Sequence, residues 1–148
     1  MSWTYFWTVW KDIKDKLMTD LRALEDDRGD ARFAAVYFGK QAQPKEFPCA
    51  VVRPEVIRTV STTVRSSQYR MPFDIHIIAK DQDPETGIDE VVVLLGVTVK
   101  MFEDDRQWGE FADNVEPFVI TPDVERRAVR TRHEGSILAT WFRHVLPN

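Results

Sequence analysis

The hydrophobic pattern begins at helical spacing. Trp10, Ile13, Leu17, Leu21 and Leu24 recur at intervals of three and four, which places them on one face of a helix. Lys11, Asp12, Lys14, Asp15 and Lys16 carry charges of both signs on the opposite side, as a solvated face does. Thr4 or Thr8 suits the cap, and the polar run Glu25 to Asp30, with Gly29 inside it, ends the element. Three tryptophans in the first ten residues have two physical uses: closing the core or docking against another subunit.

The period then changes. Residues 33–39 read as a strand, followed by a short polar loop from Lys40 to Glu46. Pro48 leads into a second strand, Cys49-Ala-Val-Val52, and Pro54 punctuates its end. From Val56 to Lys80 the pattern predicts a long hairpin joined near Ser66–Ser67. Its first arm is rich in Ser, Thr and Arg. In the second, Tyr69, Met71, Phe73, Ile75 and Ile77 alternate with Arg70, Pro72, Asp74 and His76, the period of two that marks a strand with one buried face.

After a polar loop from Asp81 to Gly87, Ile88, Val91, Val92, Leu95, Val99 and Phe102 form a broad helical stripe. A buried strand over Val91 to Leu95 is the competing reading, because β-branched residues lower helix propensity. The length of the stripe, with Asp89 and Glu90 in its first turn, favours the helix. Residues 103–114 read as a highly polar connector. Strands over 115–120, 124–132 and 137–145 then complete the sheet, with Thr121-Pro122-Asp123 as a turn between the first two. The fold class that follows is α/β (α+β): one domain over 1–148, its mostly antiparallel sheet packed by two main helices and carrying a long β-hairpin.

Composition adds bounds. The chain has 148 residues, 43% hydrophobic and 30% charged, with 20 basic residues against 24 acidic ones. A chain of this length buries roughly 68% of its unfolded surface, enough to close a core without metal or disulfide. The formal charge of -4 excludes a strongly basic nucleic-acid wrapper but leaves room for a local basic patch. The single cysteine, Cys49, forms no intrachain disulfide and reads as a small buried hydrophobe. The apolar run from Val91 to Val97, broken at Gly96, falls far short of the roughly 20 residues that cross a bilayer. Neither a membrane partner nor a signal peptide is expected.

Catalytic and metal motifs fail one by one. Asp81, Asp83 and Glu85 resemble the opening of a calcium loop. Gly87 comes one place late, however, and Val92 stands where the bidentate glutamate belongs. His76, His133 and His144 share no metal-binding spacing; His76 and His144 read as surface residues, and His133-Glu134 as a turn beside Gly135. Ser136 lacks the rest of a nucleophile elbow, and none of the six glycines builds a phosphate-cradling loop. No enzyme activity and no cofactor are expected. Two arginine groups survive: Arg53, Arg58, Arg65 and Arg70 in the strand pair, and Arg126, Arg127, Arg130 and Arg132 near the C-terminal strands. Their planar forks serve cross-strand pairing, inter-subunit salt bridges or DNA phosphates.

The order of elements resembles that of the small tail-terminator or tail-completion proteins of long-tailed viruses. The resemblance is carried by the opening Trp10-Lys-Asp-Ile13 helix and the Pro48-Cys-Ala-Val-Val-Arg53-Pro54 strand. The alternating Tyr69–Ile77 strand and the Ile88–Phe102 helix complete it. It implies a non-catalytic homohexameric ring that caps the head-proximal end of the tail tube, ends polymerisation and docks the neck. The implied partners are the ring's own copies, the tail tube protein and a neck or head-completion protein, with non-specific contact to DNA in the channel. The implied place is the virion tail, after assembly in the host cytoplasm. Candidate interface residues are Trp3, Trp7, Arg58, Arg65, Arg70, Arg126, Arg127 and Arg130, with the Val56–Arg70 hairpin and the 103–114 connector as contact regions. A stopper or adaptor of the neck is the alternative, and a small ligand-binding domain or enzyme a more distant one.

Overall fold

A computed structural model describes residues 6–63, 66–124 and 131–145. The fold is mixed α/β, as the pattern predicts. Its elements are α1 (Phe6–Ala23), β1 (Ala35–Phe38), β2 (Cys49–Pro54), β3 (Arg58–Thr63), β4 (Ser66–Lys80), α2 (Pro84–Asp104), β5 (Asn114–Thr121) and β6 (Arg132–Val145). Among the described residues the strands form one six-stranded sheet in the order β1-β2-β4-β6-β5, with β3 also on β4. β1 and β2 are parallel, and every other pair is antiparallel.

β4 is the spine. Along one side it pairs with β6 from Ser67 to Lys80. Along the other it pairs first with β3 and then with β2, so those two short strands form one long arm interrupted at 55–57. Pro72 sits opposite the interruption. Its carbonyl accepts from the Glu55 N–H at 3.1 Å, and its donor-less nitrogen faces the same side, where no ladder bond is lost. The arms end at Thr63 and Ser66, so Ser66 and Ser67 belong to β4 and not to the connection between the arms.

Both helices pack on one face of the sheet. α1 buries Val9, Ile13, Leu17, Met18 and Leu21, and α2 buries Val91, Leu94, Leu95 and Phe102. Between them and the strands lie Phe73 and Trp141, with ring centroids 5.5 Å apart, and Trp108, 5.4 Å from Trp141. Edge-to-face packing of this kind adds to the burial of large apolar area.

Several boundaries differ from the predicted ones, each for a local reason. Thr8 lies inside α1 and caps nothing, while Thr4 is outside the described residues. α2 starts at Pro84, so much of the predicted Asp81–Gly87 loop is helix. Asp83 is extended and accepts from Glu85 N–H, and Pro84 takes the first turn, where a missing donor is harmless. The predicted strand 124–132 falls largely outside the described residues. Val124 and Thr131 are not in a strand, and Arg132 opens β6. His133-Glu134-Gly135 is no turn, because β6 runs through it unbroken. A Cβ on Gly135 would lie 2.7 Å from Val91 Cγ1 and 2.8 Å from Leu95 Cδ1, so this glycine lets α2 press onto the sheet. The predicted polar connector is partly core. Trp108 and Ala112 are buried, and Trp108 Nε1 donates to the Ile13 carbonyl at 3.1 Å.

Candidate functional site

The second face of the sheet carries the features that folding alone does not absorb. At its β1–β2 end the segment after β1 folds over it, laying Ala42 and Phe47 beside Tyr37 against Cys49, Val51 and Ile78. Tyr37 Oη accepts from Lys45 N–H at 3.2 Å and Glu46 N–H at 3.3 Å, and Arg132 stacks 4.8 Å over the Phe47 ring. Cys49 is fully buried, as the pattern predicts. Neither helix covers the remainder of this face. There Val56, Arg58, Arg70, Pro72, Leu138 and Phe142 line an open groove of about 520 Å³.

Beside the groove lies a row of charges drawn from three adjacent strands. Arg53 of β2 sits opposite Asp74 of β4, and His76 of β4 sits opposite Ser136 on β6, two residues from Glu134. His76 Nε2 lies 2.9 Å from Asp74 Oδ2, and Nδ1 lies 2.8 Å from Glu134 Oε1. Glu134 is almost fully buried. Burial alone disfavours the imidazolium. Hydrogen bonds to Asp74 and Glu134 outweigh that, with the Asp74 charge helping and Arg53 opposing, and the His76 pKa rises to about 9. His76 therefore holds its proton at neutral pH. The predicted surface role is corrected: the side chain does point to the polar side of its strand, but it is only partly exposed there, held between two carboxylates.

The other histidines divide. His133, predicted in a turn, is buried within β6 on the helix side, its Nε2 3.0 Å from the Asp81 carbonyl. His144 is exposed and meets Asp113 at 2.9 Å. The acids of the calcium-like stretch serve the helix start. Asp81 Oδ1 accepts from Asp83 N–H, and the Asp83 carboxyl, which also accepts from Thr86 Oγ1, is held below its usual range. Among the described residues no group of three or more His, Cys, Asp or Glu is placed to hold a metal ion. No described helix is long and apolar enough to cross a membrane.

Of the predicted interface residues, the structure brings Arg58 and Arg70 together, directly opposite one another on β3 and β4. Arg70 Nε donates to Gln68 Oε1 at 3.2 Å, and its guanidinium lies 5.7 Å from the Phe142 ring centroid. Trp7 stands apart on the first turn of α1, 56% exposed, with its ring edge-on to Phe6. Trp10 divides off from it and packs on Phe73 in the core. Trp3, Arg65, Arg126, Arg127 and Arg130 lie outside the described residues. Val56 opens the hairpin expected as a contact region, whereas sequence reasoning missed Phe142 and Leu138 as groove residues. The alternation of Leu138, Thr140 and Phe142 within the expected 137–145 strand was the available signal.

The site is thus an open sheet face with an apolar floor, two adjacent arginines and a partly buried charge row anchored on buried Glu134. Such a face suits binding to a second surface. No protein-family model matches the chain, and no curated protein matches it.

Proposed function

We propose that the chain is a structural protein of a long-tailed virus, of the tail-terminator kind. Its copies close into a ring at the head-proximal end of the tail tube, end tube growth and offer a docking face to the neck. The observation that supports this reading best is the one-sided sheet. Two helices cover one face, while the other presents a groove and a hairpin whose arms continue the central strands. A ring needs two unlike lateral surfaces on each copy and free elements above and below them, and this layout supplies both. The polar β3 arm, with Arg58, Thr59, Val60 and Ser61 all exposed, is suited to meet a tube or neck surface by strand or side-chain pairing.

The test is absolute mass by light scattering coupled to size exclusion over a concentration series, alone and with purified tail tubes. The expected result is a species near six times 17.3 kDa that binds tube ends. A chain that stays monomeric and ignores tubes refutes the reading. Twelve copies per virion would move it to an adaptor of the neck.

A further inference from the structure

We infer that neighbouring copies of this chain join through unlike faces, the outer face of α2 on one copy seating in the sheet groove of the next. The inference rests on the ring reading above and names the surfaces that would build it.

Charge is the first argument. In and around the groove Glu55 is engaged by Lys40 at 3.5 Å and Asp74 by His76 at 2.9 Å. Arg58 and Arg70 are left facing each other, and among the described residues neither has a carboxylate partner. Like charges directly opposite on a sheet repel, so this pair calls for an acid from outside. The outer side of α2 has the opposite excess. Asp89, Glu90, Glu103 and Asp104 stand against Lys100, and none of these five is ion-paired among the described residues. Burial, with the Asp81 charge behind it, pushes the Glu90 carboxyl up.

Apolar surface is the second. Val56 at the groove rim is 70% exposed. Val93 on α2 is 54% exposed, beside exposed Val92 and, across a shallow cleft, Ile120 of β5. Charged rims around apolar centres are the arrangement of protein interfaces.

Gly96 is the third. It lies in the exposed middle of α2, where glycine weakens a helix. A Cβ there would meet nothing within 4 Å among the described residues. Among the described residues no packing requires a side chain to be missing here, and its absence leaves room for another surface to approach the helix backbone. Because the groove and the outer side of α2 are unlike surfaces, the contact is head-to-tail, the type that forms a ring when the rotation between copies closes.

The experiment uses the full chain. Gly96→Cys and Val56→Cys are purified separately, mixed and treated with a short bismaleimide, buried Cys49 being inaccessible. The expected result is a mixed-variant cross-link at least about tenfold above either variant alone. Gly96→Arg, and separately Arg58→Glu with Arg70→Glu, should raise the concentration for assembly by about tenfold or more. Far-UV circular dichroism checks that these variants stay folded. Adding Glu103→Arg and Asp104→Arg to the double arginine variant should restore assembly. A six-copy ring with no mixed cross-link and indifferent to Gly96→Arg overturns this contact and leaves the ring reading standing. A mixed cross-link in an assembly of another size keeps the contact and overturns the six-copy ring. A chain that is monomeric at every concentration and gives no cross-link overturns both.

Discussion

Raising the pH from about 6 to about 9.5 should loosen this sheet from its middle. His76 lies between Asp74 and Glu134 at 2.9 and 2.8 Å, and its pKa is lifted from 6.5 to about 9. In the unfolded chain the same ring loses its proton near 6.5. The folded state therefore binds the extra proton throughout the interval. Its stabilisation is complete below about 6.5 and gone once the pH has passed through 9. At about 1.4 kcal/mol per pH unit the full shift corresponds to roughly 3 kcal/mol. Solvent reaches this side of the sheet and screens the pair with Asp74, which reduces the expected loss to about 1–2 kcal/mol. Urea unfolding followed by tryptophan fluorescence, at half-unit pH steps, measures it. His76→Gln should be the less stable protein at pH 6, and its deficit should shrink toward pH 9.5. A wild-type curve that is flat over the window, or a deficit that is constant across it, refutes the charge argument.

Two further predictions concern packing. Gly135→Ala puts a methyl 2.7 Å from Val91 Cγ1 and 3.0 Å from the Thr121 carbonyl. It should destabilise by about 1–3 kcal/mol, lowering Tm by roughly 2–4 °C per kcal/mol in calorimetry. An unchanged Tm would mean that α2 does not bear on β6 there. Trp108→Phe keeps most of the buried ring but removes the donor to Ile13 O, and should cost about 1 kcal/mol in the urea midpoint. A midpoint equal to wild type would show that this bond holds nothing.

The helices and the long hairpin were legible because their burial is one-sided and periodic. Ile13, Leu17 and Leu21 had to share a face, and so did Met71, Phe73, Ile75 and Ile77. What escaped the pattern was decided by contacts distant in the chain. Gly135 reads locally as a turn, and only the approach of Val91 and Leu95 explains it inside a strand. Trp108 sits in a polar run, and nothing nearby announces that its ring joins Trp141 and its N–H reaches α1. It even takes a left-handed φ of 52°, unfavourable for a bulky residue and held there by its buried contacts. The start of α2 was readable from Asp83-Pro84, a cap followed by the residue best suited to the first turn. His76 shows the limit of alternation: it assigns a side chain to a face, while exposure depends on what else that face carries. Arg58 and Arg70 were singled out for their chemistry, but their register, and so their mutual repulsion, belongs to the folded sheet.

The continuity of β4 has a mechanical consequence. One strand of 15 residues, roughly 50 Å long at about 3.3 Å per residue, reaches from the Thr63–Ser66 end of the hairpin into the centre of the sheet. It is bonded along both flanks for most of that length, so the hairpin is a beam set into the body and not a tether hung from it. A push or pull at its free end loads many backbone hydrogen bonds in shear at once, and displacement there is felt at Phe73 and Ile75 beneath the helices. Deflection of the hairpin and compression of the core are then a single elastic motion.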